Sequence, residues 1–134
     1  MKLGIIKIHE RNMITLTIIS AILAFISGIS EGLNNTLLFR YSKFKLRFPK
    51  ANEQYWNPFI SWENKNNRGS WLFRNILSFL TDGFHVTKFI QYWGLIISAI
   101  LIAFIHPLLI PTLWIAKTAG FHTTWTLYFD KLNK

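Results

Sequence analysis

The chain has 134 residues, 51% of them hydrophobic and 16% aromatic, and carries a formal net charge of +9. That length holds one unit and not two domains, and the absence of cysteine excludes disulfides, thiolate metal sites, iron–sulfur clusters and cysteine nucleophiles. Long uncharged stretches beside a strong basic excess fit a membrane protein with positive flanks rather than a soluble domain.

Lys2, Lys7 and Arg11 precede an apolar run that starts at Met13. A basic start, an apolar centre and the small residues Gly28 and Ser30 ahead of Glu31 also fit a secretion signal. We read residues 13–33 as an uncleaved first transmembrane helix. Along it Ser20, Ala24, Gly28 and Gly32 recur every four residues. Such a stripe lets a second helix approach closely, and Gly94, Ser98, Ala99 and Ala103 offer a matching face further on.

Residues 36–69 change character. Arg40, Lys43, Lys45, Arg47 and Lys50 alternate with Phe39, Tyr41, Phe44 and Phe48. This predicts a basic aromatic segment on the membrane surface, each cation drawn to anionic headgroups by about 1 kcal/mol. Nucleic acid ranks below lipid as the partner, because no helix-turn-helix, zinc-finger or RNP-like pattern accompanies the charge. Pro49 and Pro58 interrupt the segment, and an asparagine-rich turn closes it.

Residues 70–92 predict an amphipathic helix with Ser70 as its N-cap. Arg74, Ser78, Thr81, Asp82, His85 and Lys88 form its polar stripe, and Gly83 marks a bend. Residues 93–114 predict the second transmembrane helix. Trp93 and Trp114 bracket an uncharged stretch of about 30 Å, one tryptophan for each lipid–water boundary. Pro107 and Pro111 predict a kink near His106. Residues 119–132 predict an interfacial helix with Phe121, Trp125, Tyr128 and Leu132 on one face. The expected fold class is thus an all-α membrane protein: a two-span transmembrane helical hairpin with amphipathic interfacial helices. The excess of Lys and Arg in the central segment places that segment in the cytoplasm of a multi-pass inner-membrane protein, with both termini outside. A virion membrane is the alternative location.

Glu31, Asp82, His85 and Lys88 fall on one side of this hairpin. A carboxylate near the bilayer needs a partner, so Glu31 is expected close to His85 or Lys88. Glu31, Asp82 and His85 read either as metal ligands or an acid/base group, or as a polar network that fixes the hairpin. One histidine with two carboxylates is a thin metal signature, which favours the network. His106 shares a face with Ala99 and Ala103 and matches Ser20 in depth, which predicts a His106–Ser20 hydrogen bond. A proton pathway is the alternative. No glycine-rich phosphate loop, nucleophile elbow, HExxH or metal-spaced histidine pair occurs, so no cofactor and no catalytic residue is expected.

Two stretches are more idiosyncratic than composition requires. Tyr55-Trp56-Asn57-Pro58 leads to Ser61-Trp62-Glu63-Asn64-Lys65, and Leu80-Thr81-Asp82-Gly83-Phe84-His85 follows. With Ser30-Glu31-Gly32 and Arg40-Tyr41-Ser42-Lys43-Phe44, they resemble uncharacterised small integral membrane proteins of Bacteroidetes-type bacteria and their viruses, over residues 25–92. The resemblance implies no activity. It implies that Glu31, Trp62, Asn64, Lys65, Asp82 and His85 belong to a recurring pattern. The linker between Lys65 and Trp71 is shorter here. The Trp/Asn/Pro/Lys segment then either folds back to cap the Glu31–Asp82–His85 cluster or is an ordinary tucked loop.

These readings converge on a non-catalytic subunit of a larger membrane assembly, in contact with anionic lipids and with other membrane proteins or itself. The rivals are a small membrane enzyme or metal-binding protein built on Glu31, Asp82 and His85, and a homo-oligomeric pore lined by the stripe at residues 74–88.

Overall fold

A computed structural model describes the backbone of residues 2–64 and 71–133, and within these the side chains of residues 10–64, 71–72 and 74–131. Lys65 and the expected N-cap Ser70 lie outside the described residues. All the regular structure among those residues is helical.

Helix α1 (Lys2–Phe39) is one rod of 38 residues, about 57 Å long. It ends at Arg40, after which α2 (Tyr41–Arg47), α3 (Glu53–Trp56) and α4 (Pro58–Ser61) wind through the central segment. Pro58 opens α4, where its missing N–H costs nothing, and the Asn57 side chain accepts a 3.1 Å hydrogen bond from the Phe59 N–H.

The amphipathic helix expected over residues 70–92 is not continuous. It divides into α5 (Trp71–Asn75), a 3₁₀ turn (Ser78–Leu80) and the start of α6 (Gly83–Ile105). Asp82 makes the division, because it has extended backbone and caps α6 by accepting from the His85 N–H at 2.8 Å. Residues 83–92 therefore belong to the same continuous helix as the apolar stretch after them.

That apolar stretch also ends earlier than expected. His106 is extended (φ −161°, ψ 102°), as the residue before a proline is forced to be. Pro107 then starts a 3₁₀ turn (Pro107–Leu109), and Pro111 sits in the first turn of α7 (Ile110–His122). The two prolines do not kink one span. They stop one helix and start another that runs back.

The contacts fix the directions. On α6, Gly94 lies against Leu23 and Ser27, while Ile105 and His106 lie beside Thr17 and Glu10, so α6 is antiparallel to α1. After the turn, Leu113 shares a core cluster with Ala24, Lys117 and Phe121 meet Gly28, Thr124 meets Gly32 and Asp130 reaches Arg40. This return leg is therefore parallel to α1. The helix of residues 93–114 does not exist as one element. Trp93 and Trp114, expected at opposite boundaries, lie near the same Leu23–Ser27 level of α1.

The expected interfacial helix at residues 119–132 is likewise part of the bundle. α7 runs directly into a π-helical segment (Thr123–Phe129) and a 3₁₀ turn (Asp130–Asn133). Phe129 is buried with Leu37 and Phe44. The C-terminus thus lies at the same end of α1 as the central segment, and the N-terminus lies at the other.

Candidate functional site: the basic end

The stripe on α1 serves two neighbours. Ser20, Ala24, Gly28 and Gly32 are all buried. Ser27, one helical step from the stripe, donates to the Gln91 carbonyl of α6 at 2.6 Å. Gly94 and Ser98 are buried on the opposing face, Ala99 is half-buried and Ala103 is exposed. Gly28 and Gly32 instead face the return leg. A Cβ on Gly28 would overlap the Lys117 carbonyl oxygen, and one on Gly120 would overlap that of Phe25. The stripe was legible in sequence, but the glycine that completes the tighter crossing, Gly120, was not singled out.

Glu31 takes a different partner from the one expected. Its carboxylate lies 2.7 Å from the Lys117 ammonium, with the side chains 29% and 14% exposed, so the pair is largely shielded from water. The reversal at His106 brings Lys117 alongside α1, whereas Asp82, His85 and Lys88 ride on α6. Asp82 is fully buried and holds His85 twice, through the backbone N–H and through Nδ1 at 2.7 Å. Lys88 lies 4.9 Å from the Phe84 ring centre. Among the described residues no three His, Asp or Glu side chains gather where they could hold a metal ion. The polar stripe of residues 74–88 is split as well, with Thr81 and Asp82 buried and His85 exposed, so it presents no continuous lining for a pore.

The idiosyncratic motifs do meet, without Glu31. Asn64 donates to the Gln54 carbonyl at 2.8 Å and to the Thr81 carbonyl at 3.1 Å. The Trp56 ring lies so close over Gly83 that a Cβ there would enter it. The loop folds back onto the capped start of α6. Trp62 is exposed.

His106 is exposed at the far end, lining a groove of about 570 Å³ with Glu10, Met13, Ile14 and Thr17. The expected hydrogen bond to Ser20 is absent, because the Ser20 hydroxyl donates to the Leu16 carbonyl of its own helix at 2.8 Å. α6 ends nearer Thr17 than a simple depth match implies.

The five cations expected at headgroups have unequal freedom. Arg40 and Lys43 both bind Asp130, the lysine at 3.1 Å, and the Arg40 guanidinium lies 4.0 Å from the Trp125 ring centre. The hydrogen bond from Lys43, reinforced by the charge of Arg40, holds the Asp130 carboxyl below its ordinary pKa of 3.8. Lys45 lies 4.0 Å from Glu53 and donates to the Ala51 carbonyl at 3.2 Å. Burial, and secondarily the charge of Glu53, raise the Tyr41 phenol above its ordinary pKa of 10.0. Arg47 lies 4.2 Å over the Tyr128 ring, and neither it nor Lys50 has an ion pair among the described residues.

Arg47 and Lys50 stand at the mouth of a cavity of about 770 Å³. Ile29, Leu33, Phe44, Trp56, Leu127 and Phe129 supply most of its wall, so α1, α2 and the π-helical segment all contribute. π-helical turns open a helix and are often found at functional sites.

Comparison with known protein families, curated proteins and solved structures gives no match to this chain.

Proposed function

We propose that the chain is a non-catalytic integral membrane protein and acts as a structural or accessory subunit of a larger membrane assembly. The observation that carries this reading is the uncovered apolar surface of its two longest helices. α1 and α6 are each long and apolar enough to cross a bilayer, yet only 28% and 11% of their most apolar stretches are buried within the chain. A core helix of a soluble protein would be mostly covered. Ile14, Ile18, Ile22, Ile96, Ile100 and Phe104 point outward instead. A surface of this kind needs lipid or a partner subunit.

In this reading α1 and α6 span the bilayer and the return leg brings the C-terminus back to the basic end. That end carries Arg40, Lys43, Lys45, Arg47, Lys50, Arg74 and Lys131, so it faces the cytoplasm of a bacterial inner membrane, with the N-terminus outside. A virion membrane of the same charge asymmetry suits the same geometry.

The test begins with membranes containing the intact chain. It should resist extraction at alkaline pH and leave the bilayer in a mild maltoside detergent together with other membrane proteins. Release at alkaline pH refutes the membrane reading, and a solitary monodisperse chain refutes the subunit role. Topology is open to labelling, because the cysteine-free chain accepts single reporters. Lys50→Cys and Lys131→Cys should be labelled from the same side of the bilayer, and labelling from opposite sides refutes the three-leg path.

A further inference from the structure

The groove at the basic end has a wall and a mouth of opposite character. At about 770 Å³ it falls within the range of sites that enclose small organic ligands. Its interior is almost wholly apolar. Ile29 and Leu33, one turn apart on α1, line it together with Thr123 and Leu127, and the exposed Arg47 and Lys50, which follow the end of α1 in the chain, line it as well. Of the five cations from Arg40 to Lys50, these are the two with no carboxylate among the described residues, since Asp130 occupies Arg40 and Lys43 and Glu53 attends Lys45. Arg47 is also held in place by stacking on Tyr128.

An occupant that fits this lining is apolar along the wall and anionic at one end. We propose that the groove holds one acyl chain of an anionic phospholipid, with its phosphate between Arg47 and Lys50. The assignment rests on the membrane reading, which places Ile29 and Leu33 at hydrocarbon depth and the two cations at headgroup depth. Arg47 supplies a planar donor pair that matches a phosphate, and Lys50 a point charge beside it.

Native mass spectrometry of the whole chain in maltoside detergent, titrated with phosphatidylglycerol or phosphatidylcholine, tests this directly. The wild-type chain should retain one phosphatidylglycerol, with about tenfold preference over phosphatidylcholine. The double variant Arg47→Gln with Lys50→Gln should lose that preference. Leu127→Trp, at an exposed position that narrows the groove without altering charge, should lose retention of both lipids. Equal retention of the two lipids by the wild type overturns the proposal. So does full retention by Leu127→Trp, which means adsorption on surface charge alone, and so does a wild type that runs as a dimer beside a Leu127→Trp variant that runs as a monomer with lipid retention unchanged, which means that a second copy fills the groove. Flotation with phosphatidylcholine vesicles reports separately on the membrane reading. Both variants should float as the wild type does, and a wild type that fails to float refutes the membrane reading and leaves the lipid titration to decide the groove.

Discussion

α6 and the return leg pack on the same helix by different means. α6 approaches α1 through Gly94 and a hydroxyl-to-carbonyl bond from Ser27 to Gln91, with room for a Cβ at Gly94 only 3.2 Å from the Leu23 carbonyl oxygen. The return leg comes closer, backbone against backbone at Gly28 and Gly120 and with the Thr124 side chain against Gly32, and adds the ion pair of Glu31 with Lys117. In lipid, apolar area alone does not hold helices together, so close packing and polar contacts must. The leg that carries a lysine among apolar residues has the stronger version of both.

The largest expected effect comes from filling the tight crossing. Gly120→Leu forces apart two backbones that already touch, and overpacking of this severity costs about 3 kcal/mol. Thermal unfolding in detergent should show it as a large fall in midpoint. Gly94→Ala on the looser side should cost about 1 kcal/mol or less. Equal losses at the two sites would erase the distinction between the legs.

Next is the ion pair. Glu31→Gln leaves the Lys117 ammonium shielded and uncompensated, at a cost of about 1–2 kcal/mol, less than for a fully buried pair because Glu31 is partly exposed. The exchanged pair Glu31→Lys with Lys117→Glu should recover part of the loss. If Glu31→Gln leaves unfolding unchanged, the return leg is held by its glycines alone.

Hydroxyls on the α6 side give a smaller effect of either sign. Ser27→Ala removes the bond to Gln91 and should cost about 0.5–1 kcal/mol. The Ser98 hydroxyl is buried without a partner, so Ser98→Ala should be neutral or stabilising by up to about 1 kcal/mol. A destabilising Ser98→Ala would mean that this hydroxyl has an acceptor after all.

Legibility in the sequence follows the same division. Helical class, the apolar stretches and the small-residue stripe were readable, because each rests on local pattern. The course of the chain after His106 was not. A proline within an apolar run reads equally as a kink in one helix or a boundary between two, and the choice depends on whether a neighbour can receive the second piece. Here α1 receives it, through Gly28, Gly32 and Gly120. That one decision moved Trp114 away from the opposite boundary, carried the C-terminus to the basic end and gave Glu31 its partner. Distant pairing also explains the cations. Their number was visible, but which of them Asp130 occupies depends on a chain reversal that periodicity does not encode.

The last contrast is between the two ends of the return leg. Its start at the His106 turn has no ion pair among the described residues, and its finish is tethered by Asp130 to Arg40 and Lys43. The Asp130 carboxyl is depressed in the folded chain, so the unfolded chain binds its proton more readily. The tether therefore contributes fully above the ordinary value of 3.8 and is lost as pH falls through that value toward the lower folded one. The pair is solvent-accessible, which confines the effect to the final turn. Protease cleavage near Lys131 should accelerate when pH is lowered through this range, while α7 stays protected. Asp130→Asn should give the fast rate at every pH, because no proton is left to control it. A pH-dependent rate that survives in Asp130→Asn would assign the tether to another titratable group, whereas a slow rate at every pH in that variant would mean that the finish of the return leg is held by Phe129 in its pocket with Leu37 and Phe44 rather than by charge.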